Sequence, residues 1–349
     1  MTLDPALDEL WADRPTPGPL AEARHARLLA ALFRLDDRRE IAISGVKAAK
    51  MLQGQVTNDV LALSPGQGCH AAHLDAKGRM ITDLVLQRTS DEDFIMTVPA
   101  AEAPGLLTRF QRFAFLDDCE VTDRSERRRL LALVGPASGE AVDLLASGSV
   151  SGAEDSYACR HWLTPWGDVD ATALPETGER AWMMNVPEAT ARAIADALHA
   201  VPMVELGSDE AWEILRIEAG TPRWGVDMDT SNLAPECNLA HAISYTKGCY
   251  VGQETVARVK TYGQVSRALR GLTSETVLPV GAELFDGDGK SRGRVSSSAR
   301  SAVLERPIAL AMVHRSVHAP GTELVARAED FEASVIVVAL PHFEGPFRP

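Results

Sequence analysis

The amino-acid sequence predicts an α+β protein of two or three domains that ends in a small β-barrel. Three observations carry this. A chain of 349 residues, 45% hydrophobic and 24% charged, has an ordinary globular composition and can bury a large core. Up to about residue 262, strand-like runs are interleaved with segments of helical periodicity. Beyond Gly263 the texture changes to short strand-like runs separated by glycines and prolines, the pattern of a small barrel.

In chain order, residues 1–24 read as a loosely ordered tail, because Pro5, Pro15, Pro17 and Pro19 remove backbone donors and block helix continuation. A helix is expected over 21–35, with Leu28, Leu29, Leu32 and Phe33 as its apolar stripe. Residues 40–44 (EIAIS) read as a strand and 46–52 as a short helix. The runs CHAAHLD and MITDLVLQR flank a turn at Lys77-Gly78, a hairpin signal, and DFIMTVP is a further strand. Residues 101–110 are expected to be helical. The charge run TDRSERRR (122–129) marks a boundary before a strand at 130–134. Helices at 138–145 and 189–198 and a strand at 181–187 complete a small α+β unit. Trp212, Leu215 and Ala219 recur at helical spacing over 209–219, and Gly220 with Pro222 ends that helix. Strands at 282–285, 293–298, 308–313, 323–326 and 334–340 build the last domain.

The formal net charge of −14 disfavours wrapping a nucleic-acid backbone, whose affinity comes largely from Lys and Arg. The N-terminal residues lack a basic start and an apolar run, and no stretch approaches about twenty apolar residues, so no signal peptide or membrane span is expected and the expected location is cytoplasmic. The five cysteines, Cys69, Cys119, Cys159, Cys237 and Cys249, are scattered, with no Cys-x-x-Cys pair. That spacing disfavours a zinc site or a resident iron–sulfur cluster, and no metal ligands are assigned. His70 and His73 sit three apart on an expected strand, face opposite sides, and read as structural.

Chemistry concentrates in YTKGCYVGQETVARVKTYG (245–263). Cys249 lies between Gly248 and Tyr250, just ahead of an expected helix N-terminus at Gly252, with Lys247 two residues away. A helix N-terminus and a nearby ammonium both favour the thiolate, the form that attacks electrophiles or binds metal. Gln253 and Glu254 occupy the first turn, and Glu254 stands four residues before Arg258. Asp83 interrupts the apolar strand MITDLVL on the face expected to carry Ile81 and Val85. A carboxylate there either meets water or has a partner and a role.

The block KGCYVGQE (247–254) resembles the signature Lys-Gly-Cys-Tyr-x-Gly-Gln-Glu of the YgfZ-type folate-binding proteins, relatives of the glycine-cleavage T-protein, at every defined position. LQGQVTNDV (52–60), DAKGRMITDLVL (75–86) and LRIEAGTPRWGVDM (215–228) are similar to further blocks in order and spacing, so the likeness runs over roughly residues 40–340. The resemblance implies a T-protein-like three-domain cloverleaf: a discontinuous folate-binding domain from 25–120 plus 200–262, a ferredoxin-like α+β domain at 121–199, and a β-barrel at 263–349. It implies tetrahydrofolate, or a one-carbon derivative, as ligand. It also implies a role in assembly, repair or maintenance of iron–sulfur enzymes, acting through Cys249, with the assembly machinery or client enzymes as transient partners.

A reduced folate presents pteridine N–H donors, an aromatic linker and an anionic tail. Asp83 or Glu236 are the candidate carboxylates, Trp224 the stacking surface, and Arg223, Lys247 and Arg258 the charges; Gln253 and Glu254 belong to the same signature. The alternative is a folate-dependent aminomethyltransferase in which Asp83 steers a proton. The region corresponding to the T-protein's Gly-Tyr-Thr-Gly-Glu block reads AWMMNVP, and the arginine expected ahead of LRIEAG is Trp212, which argues against that activity. A third reading is an interaction protein whose pocket no longer binds.

Overall fold

The computed structural model describes residues 5–12, 17–125, 127–146, 155–263 and 265–347. Two sheets and a closed barrel make up the fold. The first sheet is five-stranded and antiparallel, in the order Gln67–Leu74, Met80–Arg88, Asp93–Pro99, Arg38–Ser44, Glu120–Asp123. Ile41, Ile43, Phe94, Met96, Leu84 and Leu86 point to one face and are buried under helices Ala48–Gln53 and Ala103–Asp117. The longer helix buries Leu106, Phe110 and Ala114, four residues apart, and ends at Asp118 with φ 54°. The opposite face of this sheet carries the candidate site.

The second sheet is six-stranded, in the order Val204–Leu206, Ala30–Arg34, Arg128–Val134, Ala181–Pro187, Gly167–Leu174, Cys159–Thr164. The first pair is parallel and the others antiparallel. Helices Pro5–Ala12, Ser138–Asp143 and Ala191–His199 pack on one side, and Pro19–Leu28 and Asp209–Glu218 on the other. The barrel closes in the order Arg267–Ser274, Pro307–His314, Ser291–Arg300, Glu283–Phe285, Glu323–Ala328, Phe331–Val338. Two mixed helix–sheet layers and a closing barrel are the α+β class that the sequence predicts.

Three expectations need correction. Of the expected tail, residues 1–4 and 13–16 lie outside the described residues, but Pro5–Ala12 is a helix whose Leu7 and Trp11 are buried in the second sheet's core, with Trp11 Nε1 donating to Gly207 O at 3.0 Å. Proline at a helix start removes a donor that has no intrahelical acceptor anyway, so Pro5 and Pro19 open helices here. The helix expected over 21–35 stops at Leu28, and Ala30–Arg34 is a strand buried between two neighbours; an apolar run covered on both faces shows no period that separates strand from helix. Finally, strands Ala30–Arg34 and Val204–Leu206 join the sheet of residues 128–187, so sheet membership cuts across the expected division at 120/121 and 199/200.

Helix Asp209–Glu218 ties the units together. Arg216 donates to Asp227 Oδ2 and to Ser297 Oγ of the barrel, both at 2.7 Å, and Ser296 and Ser297 donate to Asp227 Oδ1. Asp227 Oδ2 also accepts from Arg223 N at 2.9 Å, which fixes the turn that carries Arg223 and Trp224.

Glu40 joins the two sheets. It is buried, its carboxylate accepts from Asn185 Nδ2 on the neighbouring sheet, and Asn185 Oδ1 is buried without a partner. Burial pushes the Glu40 pKa up to about 7, against the pull of Arg124. The Glu40 pKa is raised on folding, so its contribution is full below the unfolded value and is lost as pH rises through about 7. Denaturant unfolding of the wild type is therefore expected to show stability falling between about pH 4.5 and 7, by up to roughly 3 kcal/mol. Glu40→Gln, which keeps an uncharged donor–acceptor pair, is expected to flatten that slope; an unchanged slope contradicts the assignment.

Candidate functional site

A cavity of about 760 Å³ lies between the outer face of the first sheet, the end of helix Asp209–Glu218 and its following turn, and the C-terminal segment at Leu340–Phe347. Its volume suits a drug-sized or cofactor-sized ligand. Val85, Pro99 and Tyr157 supply apolar wall, and Asp83, His70 and His241 stand together in it.

The hairpin Gln67–Leu74/Met80–Arg88 places these groups. Asp75 Oδ1 accepts from Lys77 N and Arg79 N, both at 2.8 Å, which shapes the turn. Leu74 pairs with Met80 but His73 pairs with Thr82, so Ile81 is an extra residue, a β-bulge. Beyond it Ala72 lies opposite Asp83 and His70 opposite Val85, so His70 and Asp83 are diagonal neighbours on one face. Had the Leu74–Met80 register continued, His70 would oppose Leu84 and point away from Asp83. The expectation that Asp83 shares a face with Ile81 and Val85 holds for Val85; the bulge sends Ile81 to the helix-covered core instead.

Asp83 Oδ2 lies 2.9 Å from His70 Nε2, and His70 Nδ1 lies 2.9 Å from His241 Nε2. Asp83 Oδ1 is buried with no hydrogen-bond partner. Asn58 Nδ2 donates to the carbonyls of both His70 and His241, which locks the two backbones together. The His241 ring opens onto the cavity, yet burial in the surrounding wall and the facing His70 push its pKa well below the usual histidine range. Across the cavity Arg38 makes a two-point ion pair with Glu176, at 2.8 and 2.5 Å. Burial opposes ionisation of Glu176, but Arg38 beside it outweighs this and holds its carboxyl below the ordinary range.

Three of the residues singled out in the sequence line this cavity: Asp83, Arg223 and Trp224. Trp224 Nε1 donates to Glu102 Oε1 at 3.1 Å, and Arg223 is held at the rim by Glu213 at 3.1 Å. The others lie elsewhere. Glu236 is buried and accepts from Leu233 N and Arg267 Nε, so it fastens its own turn to the first barrel strand. Lys247 is buried and donates to the carbonyls of Gln53, Val56 and Asn58, each at 2.7 Å. Burial pushes its pKa down to about 8, but three such bonds need three protons on Nζ and hold the charged form. Its ammonium is therefore committed to the loop and is not offered to a ligand or to the thiol.

Gln253 Oε1 accepts from Tyr250 N at 3.2 Å at the start of helix Gln253–Tyr262, and Glu254 and Arg258 stand exposed on that helix. Gly252 precedes it with φ 82°, and a Cβ there would meet Asp75 O at 2.6 Å, so only glycine lets the signature segment dock on the hairpin turn. Cys249 is exposed in the loop before the helix and is not part of the cavity wall. The segment thus runs from His241, in the wall, to a thiol at the surface eight residues later. Among the described residues no group of three or more His, Cys, Asp or Glu is placed to hold a metal, and no helix is long and apolar enough to cross a membrane.

Residues 13–247 match the family model of the GCVT N-terminal domain, and residues 267–344 match that of the glycine cleavage T-protein C-terminal barrel domain. The chain belongs to the GCVT family. Within that family it is 33% identical to the tRNA-modifying protein YgfZ of Klebsiella pneumoniae, over 76% of this chain and 79% of the relative. It is 28% identical to an aminomethyltransferase of Prosthecochloris aestuarii, over 93% of this chain and 90% of the relative. The crystal structure of the glycine cleavage system aminomethyltransferase T from Bartonella henselae is similar with a TM-score of 0.88 at 26% identity, covering 96% of this chain and 92% of that one.

His70, His241, Arg38 and Glu176 were not anticipated as site residues. His70 carried a usable signal, its nearness to Asp83 across a hairpin, but the bulge that decides its face leaves no mark in composition. The exposed thiol gives a direct check. In native protein, Ellman's reagent is expected to modify Cys249 in a fast phase, while the buried Cys69, Cys159 and Cys237 react only on unfolding. Cys249→Ser should abolish the fast phase; its persistence contradicts the placement.

Proposed function

We propose that this GCVT-family chain binds tetrahydrofolate or a one-carbon derivative in the cavity beside Asp83, and supports the assembly, repair or maintenance of iron–sulfur enzymes through Cys249. The observation that carries the ligand reading is Asp83, a residue of the cavity wall whose Oδ1 has no hydrogen-bond partner. A carboxylate oxygen without a donor gains a hydrogen bond from a ligand N–H that reaches it, and the pteridine of a reduced folate presents such donors. The apolar walls suit its rings. Trp224 at the rim suits the aromatic linker, and Arg223 beside it, half exposed, suits the anionic tail.

The thiol has a different audience. Cys249 stands at the surface while the cavity wall ends eight residues earlier, so we read it as meeting a partner, a client enzyme or the assembly machinery, rather than the bound folate. The name of the YgfZ relatives points to tRNA modification. With a net charge of −14 we read any such link as running through a client enzyme, not through this chain gripping RNA. The aminomethyltransferase reading keeps the support of relatives that align over nearly the whole chain and of Asp83 in the cavity.

Calorimetry with tetrahydrofolate is expected to show saturable binding that Asp83→Asn weakens at least about tenfold, the cost of a lost charge-assisted hydrogen bond. In cells, Cys249→Ala is expected to bind tetrahydrofolate normally and to lose support for iron–sulfur enzyme activity. Full complementation by Cys249→Ala removes the thiol role, and one-carbon transfer above background with a glycine-cleavage partner favours the transferase.

A further inference from the structure

We propose that His70 is the positioning residue for Asp83, and that His241 sets the His70 tautomer, so that the three side chains act as one device presenting a single carboxylate oxygen to a ligand N–H. The inference rests on the ligand reading above and names the atom that does the recognising.

With His70 neutral, the hydrogen bonds leave one arrangement. An ionised carboxylate only accepts, so the 2.9 Å contact to Asp83 Oδ2 requires a proton on His70 Nε2. A neutral imidazole with that proton has a bare Nδ1, an acceptor, 2.9 Å from His241 Nε2. His241 must then carry its proton on Nε2 and donate. Of the buried side-chain atoms along the line, Asp83 Oδ1 is the one without a partner. Carboxylates rotate easily about their last bond, and a lone Asp83 in this wall would offer either oxygen at several angles. The hydrogen bond from His70 removes that freedom. His70 is itself held by the strand register and by Asn58, which donates to its carbonyl at 2.8 Å.

The geometry also sets specificity. The remaining oxygen accepts and cannot donate, so the device favours a ligand with an N–H or N–H⁺ at this point and disfavours one with a bare ring nitrogen or carbonyl oxygen there. No proton needs to move for this: binding places the ligand hydrogen on Oδ1 while the two imidazoles keep theirs. In a reduced pteridine the ring nitrogens that carry hydrogen become bare on oxidation, so the device distinguishes tetrahydrofolate from folate.

Two measurements test this. The first is long-range ¹⁵N-edited NMR of the histidines in the ligand-free full chain, at a pH near 8. It is expected to show His70 protonated on Nε2 and His241 protonated on Nε2; a bare Nε2 on His70 overturns the proposal whatever the protein binds. The second is calorimetry with tetrahydrofolate and, as the comparison probe, folic acid. His70→Leu and His241→Phe are expected to weaken tetrahydrofolate by about tenfold or more and to shrink its preference over folic acid. His70→Gln and His241→Gln, which keep a donor near the lost Nε2–H, are expected to stay within about threefold of wild type. A role confined to packing predicts that Gln and the apolar variants behave alike, and that result overturns the positioning role. Failure of the wild type to bind tetrahydrofolate sinks the ligand reading and leaves the tautomer device to be judged by the NMR spectrum.

Discussion

A carboxylate set into a cavity wall is costly unless something answers its charge, and the site is organised around that constraint at Asp83. One oxygen is answered by His70 and the other is not. Everything that places His70 is therefore part of the site. The single extra residue Ile81 turns the hairpin register, and without it the imidazole would face the helix-covered core. Asn58 then couples the His70 strand to the turn that bears His241, and Thr57 Oγ1 reinforces that join by donating to Ala242 O at 2.6 Å and accepting from Ala72 N at 2.8 Å. A local irregularity in one strand and a pair of polar side chains in the loop before it thus determine what chemistry the cavity can do.

The same logic separates the cavity from the cysteine. The signature segment is usually read around its thiol, but most of its residues here do mechanical work. Lys247 collects three carbonyls from residues 53–58, Gly252 lets the chain pass close to the hairpin turn, Tyr250 and Val256 fill the core beneath, and Gln253 holds the Tyr250 amide ahead of its helix. The result holds His241 in the wall at one end and exposes Cys249 at the other. The proposed ligand site and the thiol thus lie at two ends of one segment without sharing a pocket.

Much of the fold was legible in the sequence because strong local signals agree with the tertiary structure. The strands at 93–99 and 181–187 coincide with DFIMTVP and AWMMNVP, and Gly220 with Pro222 ends a helix where expected. The misses share a cause: tertiary burial overrides the local signal. Ala30–Arg34 has strand neighbours on both edges and core on both faces, which erases alternation. In the hairpin of Cys159–Thr164 and Gly167–Leu174, Arg160, His161, Asp168 and Asp170 break up the apolar residues and mask the strand pattern. In the site, Asp83 was visible as a charge in an apolar run, and Trp224 and Arg223 through their motif. Lys247 and Glu236 resembled ligand-binding charges because a sequence shows a charge but not the backbone groups that consume it.

A structure of the full chain with bound tetrahydrofolate tests the central claim most directly. The account predicts a ring nitrogen of the ligand within hydrogen-bond distance of Asp83 Oδ1, about 2.7–3.1 Å, with the His70 and His241 contacts unchanged. A folate seated against Cys249, or one lying in the cavity with Asp83 Oδ1 still without a partner, would contradict it.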